Sequence, residues 1–125
     1  MNAESDKPLV LVVDDNLDAA EVLALLVEME GFAAATARGV AQAREVVVST
    51  PPHLIFLNVN LPDGSGLDLL ADVKADLKTA DIEIVVLSGM LDPRLKEEAH
   101  LLGARAFVTK PLAHEQLTAL LSALR

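Results

Sequence analysis

Short β-branched runs that alternate with helical patterns predict an α/β protein, a doubly wound parallel sheet with helices on both faces. The runs are too short for helices and apolar throughout, as in strands covered on both faces. Each is followed by a helix, and because crossover connections are almost always right-handed, successive strands run parallel. At 125 residues and 52% hydrophobic composition, the chain can bury one substantial core and has no room for a second domain.

Met1 to Lys7 is polar and reads as a loose lead-in, residues 1–7, with the domain over 8–125. Leu9-Val-Leu-Val-Val13 is the first strand. Ala20, Leu23, Ala24 and Val27 recur at helical spacing to give the first helix, which Gly31 stops with a left-handed residue. Phe32 to Ala37 reads as the second strand and Val40 to Ser49 as a short helix, ended by Pro51-Pro52. Leu54-Ile-Phe-Leu57 is the third strand. Leu61-Pro-Asp-Gly-Ser-Gly66 leads from it into a helix carrying Leu67, Leu70 and Val73. Ile82 to Leu87 is the fourth strand, and Asp92-Pro93 then supplies an N-cap and a proline for the first helical position. Leu95, Ala99 and Leu102 share a face of that fourth helix, and Gly103 ends it. Ala106 to Thr109 is the fifth strand, and Leu117, Leu120, Leu121 and Leu124 stripe the last helix.

Composition removes several function classes. Nineteen acidic against ten basic residues give a formal net charge of −9, which repels a polyphosphate backbone. Three Phe with no Trp or Tyr leave few platforms for stacking bases, so direct nucleic-acid binding is not expected. The absence of cysteine excludes disulfides, thiol chemistry and cysteine-based zinc sites. No signal-peptide pattern and no apolar run of roughly 18 residues appears, so the expected location is cytoplasmic, away from membranes.

Ligands of open parallel sheets sit beyond the carboxyl ends of the strands. The residues there are Asp14-Asp15, Asn58, Ser88-Gly89 and Lys110-Pro111. Adjacent carboxylates repel one another, and a hard divalent cation with oxygen ligands relieves that repulsion; magnesium suits a half-open, water-rich site. Taken alone, an Asp-Asp pair is more often a solvated turn, here with Asn16 capping the next helix. A lone Lys110 is more often a surface lysine, and a lone Ser88 a strand-end serine bonded to its own backbone. Together they supply a metal site, a fixed cation and a hydroxyl, the parts that hold a phosphoryl group.

Val12-Val-Asp-Asp15, Leu57-Asn-Val-Asn-Leu-Pro-Asp-Gly-Ser-Gly66, Val86-Leu-Ser-Gly89 and Phe107-Val-Thr-Lys-Pro111 occur in this order on the strand–helix alternation. In these blocks, from Leu9 to Leu124, the chain resembles the receiver domains of bacterial response regulators, the CheY-like family of two-component signalling. The resemblance implies a flavodoxin-like (βα)5 fold with strand order 2-1-3-4-5. It implies that Asp15 binds Mg2+ directly and Asp14 largely through water, while Asn60 lends its backbone carbonyl. It implies that Ser88 and Lys110 contact phosphoryl oxygens, that Phe107 with Ser88 forms the switch, and that the Lys110–Pro111 bond is cis. A phenylalanine packed at the sheet edge is the plain alternative for Phe107. The implied partner is a sensor histidine kinase or phosphotransfer protein, with an unidentified downstream target.

Asn58 departs from the family pattern, which has an aspartate there that attacks a phosphohistidine. A carboxylate oxygen can carry phosphate as an acyl phosphate, whereas a carboxamide is not an equivalent nucleophile. This form is therefore expected not to be phosphorylated at position 58. The Asn58 carbonyl remains a weak, neutral metal ligand. Losing one of three clustered carboxylates also removes repulsion on the order of 4 kcal/mol per pair before solvent relaxation. The pocket is thus expected to be more stable without metal and to bind Mg2+ less tightly. Two histories lead to Asn58: a natural aspartate replaced to block the site, or a native pseudo-receiver. Retention of Asp14, Asp15, Ser88 and Lys110 favours the first.

The expected role is a stand-alone signalling module, not an enzyme, which docks on another protein because no effector segment follows Arg125. It is expected to be a monomer or weak dimer. A phosphorylation-independent adaptor is the alternative, with the N-terminal apolar face of the fourth helix as a docking surface. A magnesium-dependent phosphatase on a related sheet would show Asp-x-Asp after the first strand and a cap domain. A dinucleotide-binding domain would carry a Gly-x-Gly-x-x-Gly turn there. His53, His100 and His114 form no recognisable catalytic set.

Overall fold

The computed structural model describes residues 7–124, so of the expected lead-in only Lys7 lies within the described residues. The elements are β1 (Leu9–Val13), α1 (Leu17–Met29), β2 (Ala33–Ala37), α2 (Val40–Ser49), β3 (Leu54–Asn58), β4 (Asn60–Leu61), β5 (Gly64–Ser65), α3 (Gly66–Ala75), β6 (Glu83–Ser88), α4 (Pro93–Leu101), β7 (Ala106–Thr109) and α5 (His114–Ser122). The longer strands make one five-stranded parallel sheet in the order β2-β1-β3-β6-β7. Counting only its members, that is the flavodoxin-like order 2-1-3-4-5. A short antiparallel ribbon, β4 with β5, interrupts the passage from β3 to α3.

Both faces of the sheet are covered, and successive strand residues divide between them as the pleat dictates. Leu11, Val13, Ile55, Leu57, Ile84 and Val86 face a core completed by Val40, Ala43 and Val47 of α2, Leu69, Leu70 and Val73 of α3, and Ala99 of α4. Val10, Val12, Leu54, Phe56, Val85 and Leu87 face the other, closed by Ala20 and Val27 of α1 and Leu117 and Leu121 of α5. With two covered faces the central strands need no polar side, which is why they read as unbroken apolar runs.

Local chemistry sets the helix ends. Asn16 accepts from the Ala19 N–H at 3.1 Å, Ser65 from Leu67 at 3.1 Å, and Asp92 from Arg94 at 3.0 Å, with Pro93 opening α4. Gly31 and Gly103 follow α1 and α4 with φ of 95° and 105°, values that side chains with a Cβ resist. Boundaries differ from the sequence expectation by one or two residues. Phe32 donates its N–H to the Val27 carbonyl in the turn that closes α1, leaving β2 to begin at Ala33. Ile82 donates to Thr79 in a turn, so the fourth sheet strand runs Glu83–Ser88. Leu124 lies past the end of α5 yet still packs against the α1–α5 core.

Candidate functional site

The sheet register assembles one edge of the molecule. Val13 pairs with Leu57, so Asp14 and Asn58 stand one residue further on along neighbouring strands. Asn58 pairs with Leu87, and Ser88 with Thr109, which sets Ser88 and Lys110 at the same carboxyl end. Asp14, Asn58, Ser88 and Lys110 thus come from four strands that are consecutive in the sheet.

Lys110 reaches back across the ends of β3 and β6 to β1, where its Nζ donates to Asp14 Oδ2 at 2.9 Å. Asp14 is 6% exposed, and its other oxygen accepts the Asn16 N–H at 2.9 Å. A carboxylate so far from water needs such partners. The Lys110 N–H donates to the Ser88 carbonyl at 2.7 Å, and the Lys110–Pro111 peptide is cis. Asp15 is exposed beside Asp14.

Asn58 is half-buried at the end of β3, and its Nδ2 donates to the Asn60 carbonyl at 3.2 Å. Its backbone is closely packed: Gly66 donates its N–H to the Val59 carbonyl at 2.7 Å, and a Cβ at Gly66 would collide with the Asn58 carbonyl oxygen. Ser88 is 7% exposed, and its Oγ donates to the Met90 carbonyl at 2.8 Å while accepting the Met90 N–H at 3.2 Å. In this conformation the hydroxyl therefore serves its own loop. Phe107 is partly buried against the α2–α4 core and lines a small groove with Lys96, His100 and Arg105.

The structure brings Asp14 to Lys110 and Asn58 to Asn60 by direct contact, and joins Ser88 to Lys110 through the backbone. Among the described residues no three Asp, Glu, His or Cys side chains form a metal-binding group. The oxygen donors at this edge are the two adjacent carboxylates plus the carboxamide and backbone carbonyl oxygens of Asn58 and Asn60. A groove of about 740 Å³ opens beside the Asp14–Lys110 pair, between α1 and the connection from β7 to α5, with Leu23, Leu26 and Leu112 in its wall. His53 lies just before β3, where its Nδ1 accepts the Leu9 N–H at 3.3 Å, while His100 and His114 are exposed on helices.

Sequence reasoning passed over Asp63, which lies between β4 and β5. Its Oδ1 accepts the Val40 N–H at 2.7 Å and its Oδ2 the Ala41 N–H at 3.0 Å, capping a helix whose own N-cap, Gly39, has no side chain to do so. Those N–H groups, Ala41's first and Val40's second, hold the Asp63 carboxyl below the usual carboxylate range, partly opposed by desolvation. A Cβ at Gly39 would lie 2.5 Å from Asp63 Oδ1, so the close approach requires glycine by size. The signal available in sequence was a glycine directly before an uncapped helix.

Comparison with known proteins bears on the family and the fold. Residues 10–122 match the family described as Response regulator receiver domain. The chain is 35% identical over 114 residues to the phosphate regulon transcriptional regulatory protein PhoB of Pseudomonas aeruginosa, covering 91% of this chain and 50% of that protein. It is 33% identical over 115 residues to the transcriptional regulatory protein KdpE of Mycobacterium tuberculosis, covering 92% and 50%. The chain thus spans about half the length of these curated relatives. Among solved structures, a response regulator receiver protein from Pseudomonas putida superposes with a TM-score of 0.87 at 32% identity, covering 94% of this chain and 97% of that one. A response regulator from Burkholderia pseudomallei, solved with a phosphorylated aspartic acid, a calcium ion and citrate, gives a TM-score of 0.82 at 29% identity, covering 94% and 66%. The fold and the relatives agree, and the chain belongs to the response regulator receiver domain family.

Proposed function

We propose that this chain is a phosphoryl-receiver module of a two-component relay, held in its unphosphorylated form because Asn58 occupies the acceptor position. The observation that carries this reading is the place of Asn58 in the sheet: the end of β3, flanked by the strand ends that carry Asp14 and Ser88. It is a signalling module and not an enzyme, working in the cytoplasm with a sensor histidine kinase or phosphotransfer protein as donor.

Asp15 directly, Asp14 through water, the Asn60 carbonyl and, weakly, the Asn58 carbonyl would hold Mg2+, an all-oxygen set that fits a hard dication. Bound there, the ion would offset the charge of a phosphoryl group. Two protein donors already serve parts of that set, since Asn58 Nδ2 engages the Asn60 carbonyl and Lys110 Nζ engages Asp14. The carboxamide therefore competes with the ion for the same carbonyl as well as removing a carboxylate, and both effects weaken metal binding.

Ser88 and Phe107 form the switch. To reach a phosphoryl oxygen, the Ser88 hydroxyl leaves Met90, loosening a loop that carries the exposed apolar residues Met90 and Leu91. NMR spectra recorded with Mg2+ and acetyl phosphate test the reading. Amide signals of Ser88, Met90, Phe107 and Lys110 should move in an Asn58→Asp variant and stay put in the Asn58 form. Equal movement in both would remove position 58 from the acceptor role.

Exposure of Met90 at 72% and Leu91 at 69% directly ahead of α4 favours a second reading, a phosphate-independent adaptor that docks through this loop. Leu95, on the α4 face expected for docking, instead packs on the core. An adaptor would bind its partner equally well as Asn58 or Asn58→Asp, with or without phosphodonor. A difference between the forms supports the receiver reading.

A further inference from the structure

We infer that Asp63 is a positioning residue for the Asn60 carbonyl: by capping α2 it anchors the β4–β5 ribbon, and thereby sets the oxygen offered to position 58. The inference deepens the metal assignment proposed above and rests on that reading for its metal consequence, though not for its geometry.

The ribbon is short. It consists of the pairs Asn60 with Ser65 and Leu61 with Gly64, and Pro62 and Asp63 form its tip. A two-stranded ribbon of this size does not hold itself in place. Its base is fixed by Gly66, whose N–H reaches the Val59 carbonyl, and by Ser65, which caps α3. Its tip is fixed by Asp63, through one carboxylate oxygen on each of two free N–H groups of α2. Leu61 packs on the core beneath, and a Cβ at Gly64 would rest 3.6 Å from Val40 Cγ2, so the tip also lies against the first residue of α2. Asn60 stands between these two anchors, in register with Ser65, and its carbonyl receives the Asn58 amide. Freeing the tip leaves Asn60 held by the base and by the packing of Leu61, without the polar anchor that fixes the ribbon's direction, and its carbonyl then samples directions that no longer meet position 58. Groups that orient a metal ligand in this way are commonly needed almost as much as the ligand itself.

Gly39 provides the means of separating positioning from plain helix stability. With Asp63 present, a Cβ at position 39 would sit against the carboxylate. In an Asp63→Ala background that space is open, so an added Gly39→Ser gives α2 a cap of its own without tying it to the ribbon.

The test compares the parent chain, Asp63→Ala and Asp63→Ala/Gly39→Ser by NMR and thermal denaturation, and the double variant, whose α2 is capped again, carries the comparison with the parent should the single variant fail to fold. The expected result is that the Asn58 side-chain amide signals move and broaden in both variants, although the second substitution restores melting temperature. Signals that superpose on the parent's in Asp63→Ala would overturn the inference. Signals restored together with stability by Gly39→Ser would also overturn it, because α2 alone would then be responsible. In an Asn58→Asp background, Asp63→Ala should weaken Mg2+ binding roughly tenfold, and Gly39→Ser should not recover it. Unchanged Mg2+ affinity there contradicts the positioning role. Complete failure of Asn58→Asp to bind Mg2+ defeats the metal assignment instead, and the amide signals still decide the inference.

Discussion

A carboxamide at position 58 alters what its neighbours must do. Where a carboxylate would repel the Asn60 carbonyl unless a cation intervened, Asn58 donates to it directly. Lys110 similarly pairs directly with Asp14. Asp63 gives a residue-level prediction that needs neither metal nor phosphate. Hydrogen bonds from Ala41 and Val40 lower its folded pKa below the unfolded value. Its contribution is therefore fully present above the unfolded carboxylate value, about 4, and fades as pH falls through the folded value. Thermal denaturation should show the parent losing its advantage over Asp63→Asn between about pH 5 and strong acid. An advantage that survives in strong acid would contradict the capping assignment. Asp14, Asn58, Ser88 and Lys110 were legible in the sequence because each closes a strand or directly follows one, and strand ends converge in a parallel sheet. Asp63 was not, because its partners lie 22 and 23 residues upstream and no spacing rule connects a loop tip to another helix's first turn.

At the scale of elements, two contacts fix α3 and can be broken singly. Gly66→Ala drives a methyl group into the Asn58 carbonyl oxygen, moving the start of α3 away from β3. It should cost about 1–3 kcal/mol in chemical denaturation, as overpacking does, and shift the Asn58 signals. Near the other end, Lys74 Nζ donates to the Ala80 carbonyl at 2.9 Å and the Ile82 carbonyl at 2.6 Å, tying the helix to the turn that opens β6. Lys74→Met keeps much of the aliphatic arm and removes these bonds, so a loss of about 2 kcal/mol is expected by the same measurement. No change would make the lysine an incidental surface group. The helices were readable from periodicity and the sheet strands from short, unbroken apolar runs, and α2 and β7 have the expected bounds. The β4–β5 ribbon was not, since strands of two residues carry no period. Phe32 looked like strand because apolarity does not separate a helix's closing turn from the strand that follows.

Across the whole molecule, one sheet separates two cores, and the strand ends that form the site are held by both. Phe56, fully buried between β1 and β6 on the α1–α5 side, is an example. Phe56→Ala should cost about 3–5 kcal/mol in chemical denaturation, and a much smaller loss would mean that this core can collapse around the gap. The pocket therefore inherits its geometry from the fold, and the proposed account requires that one side chain, Asn58, block phosphorylation while the architecture stays intact. Intact-protein mass spectrometry after incubation with Mg2+ and acetyl phosphate tests that claim most directly. Asn58→Asp should gain the mass of one phosphoryl group and the Asn58 form none; uptake by the Asn58 form, or none by Asn58→Asp, would contradict the account.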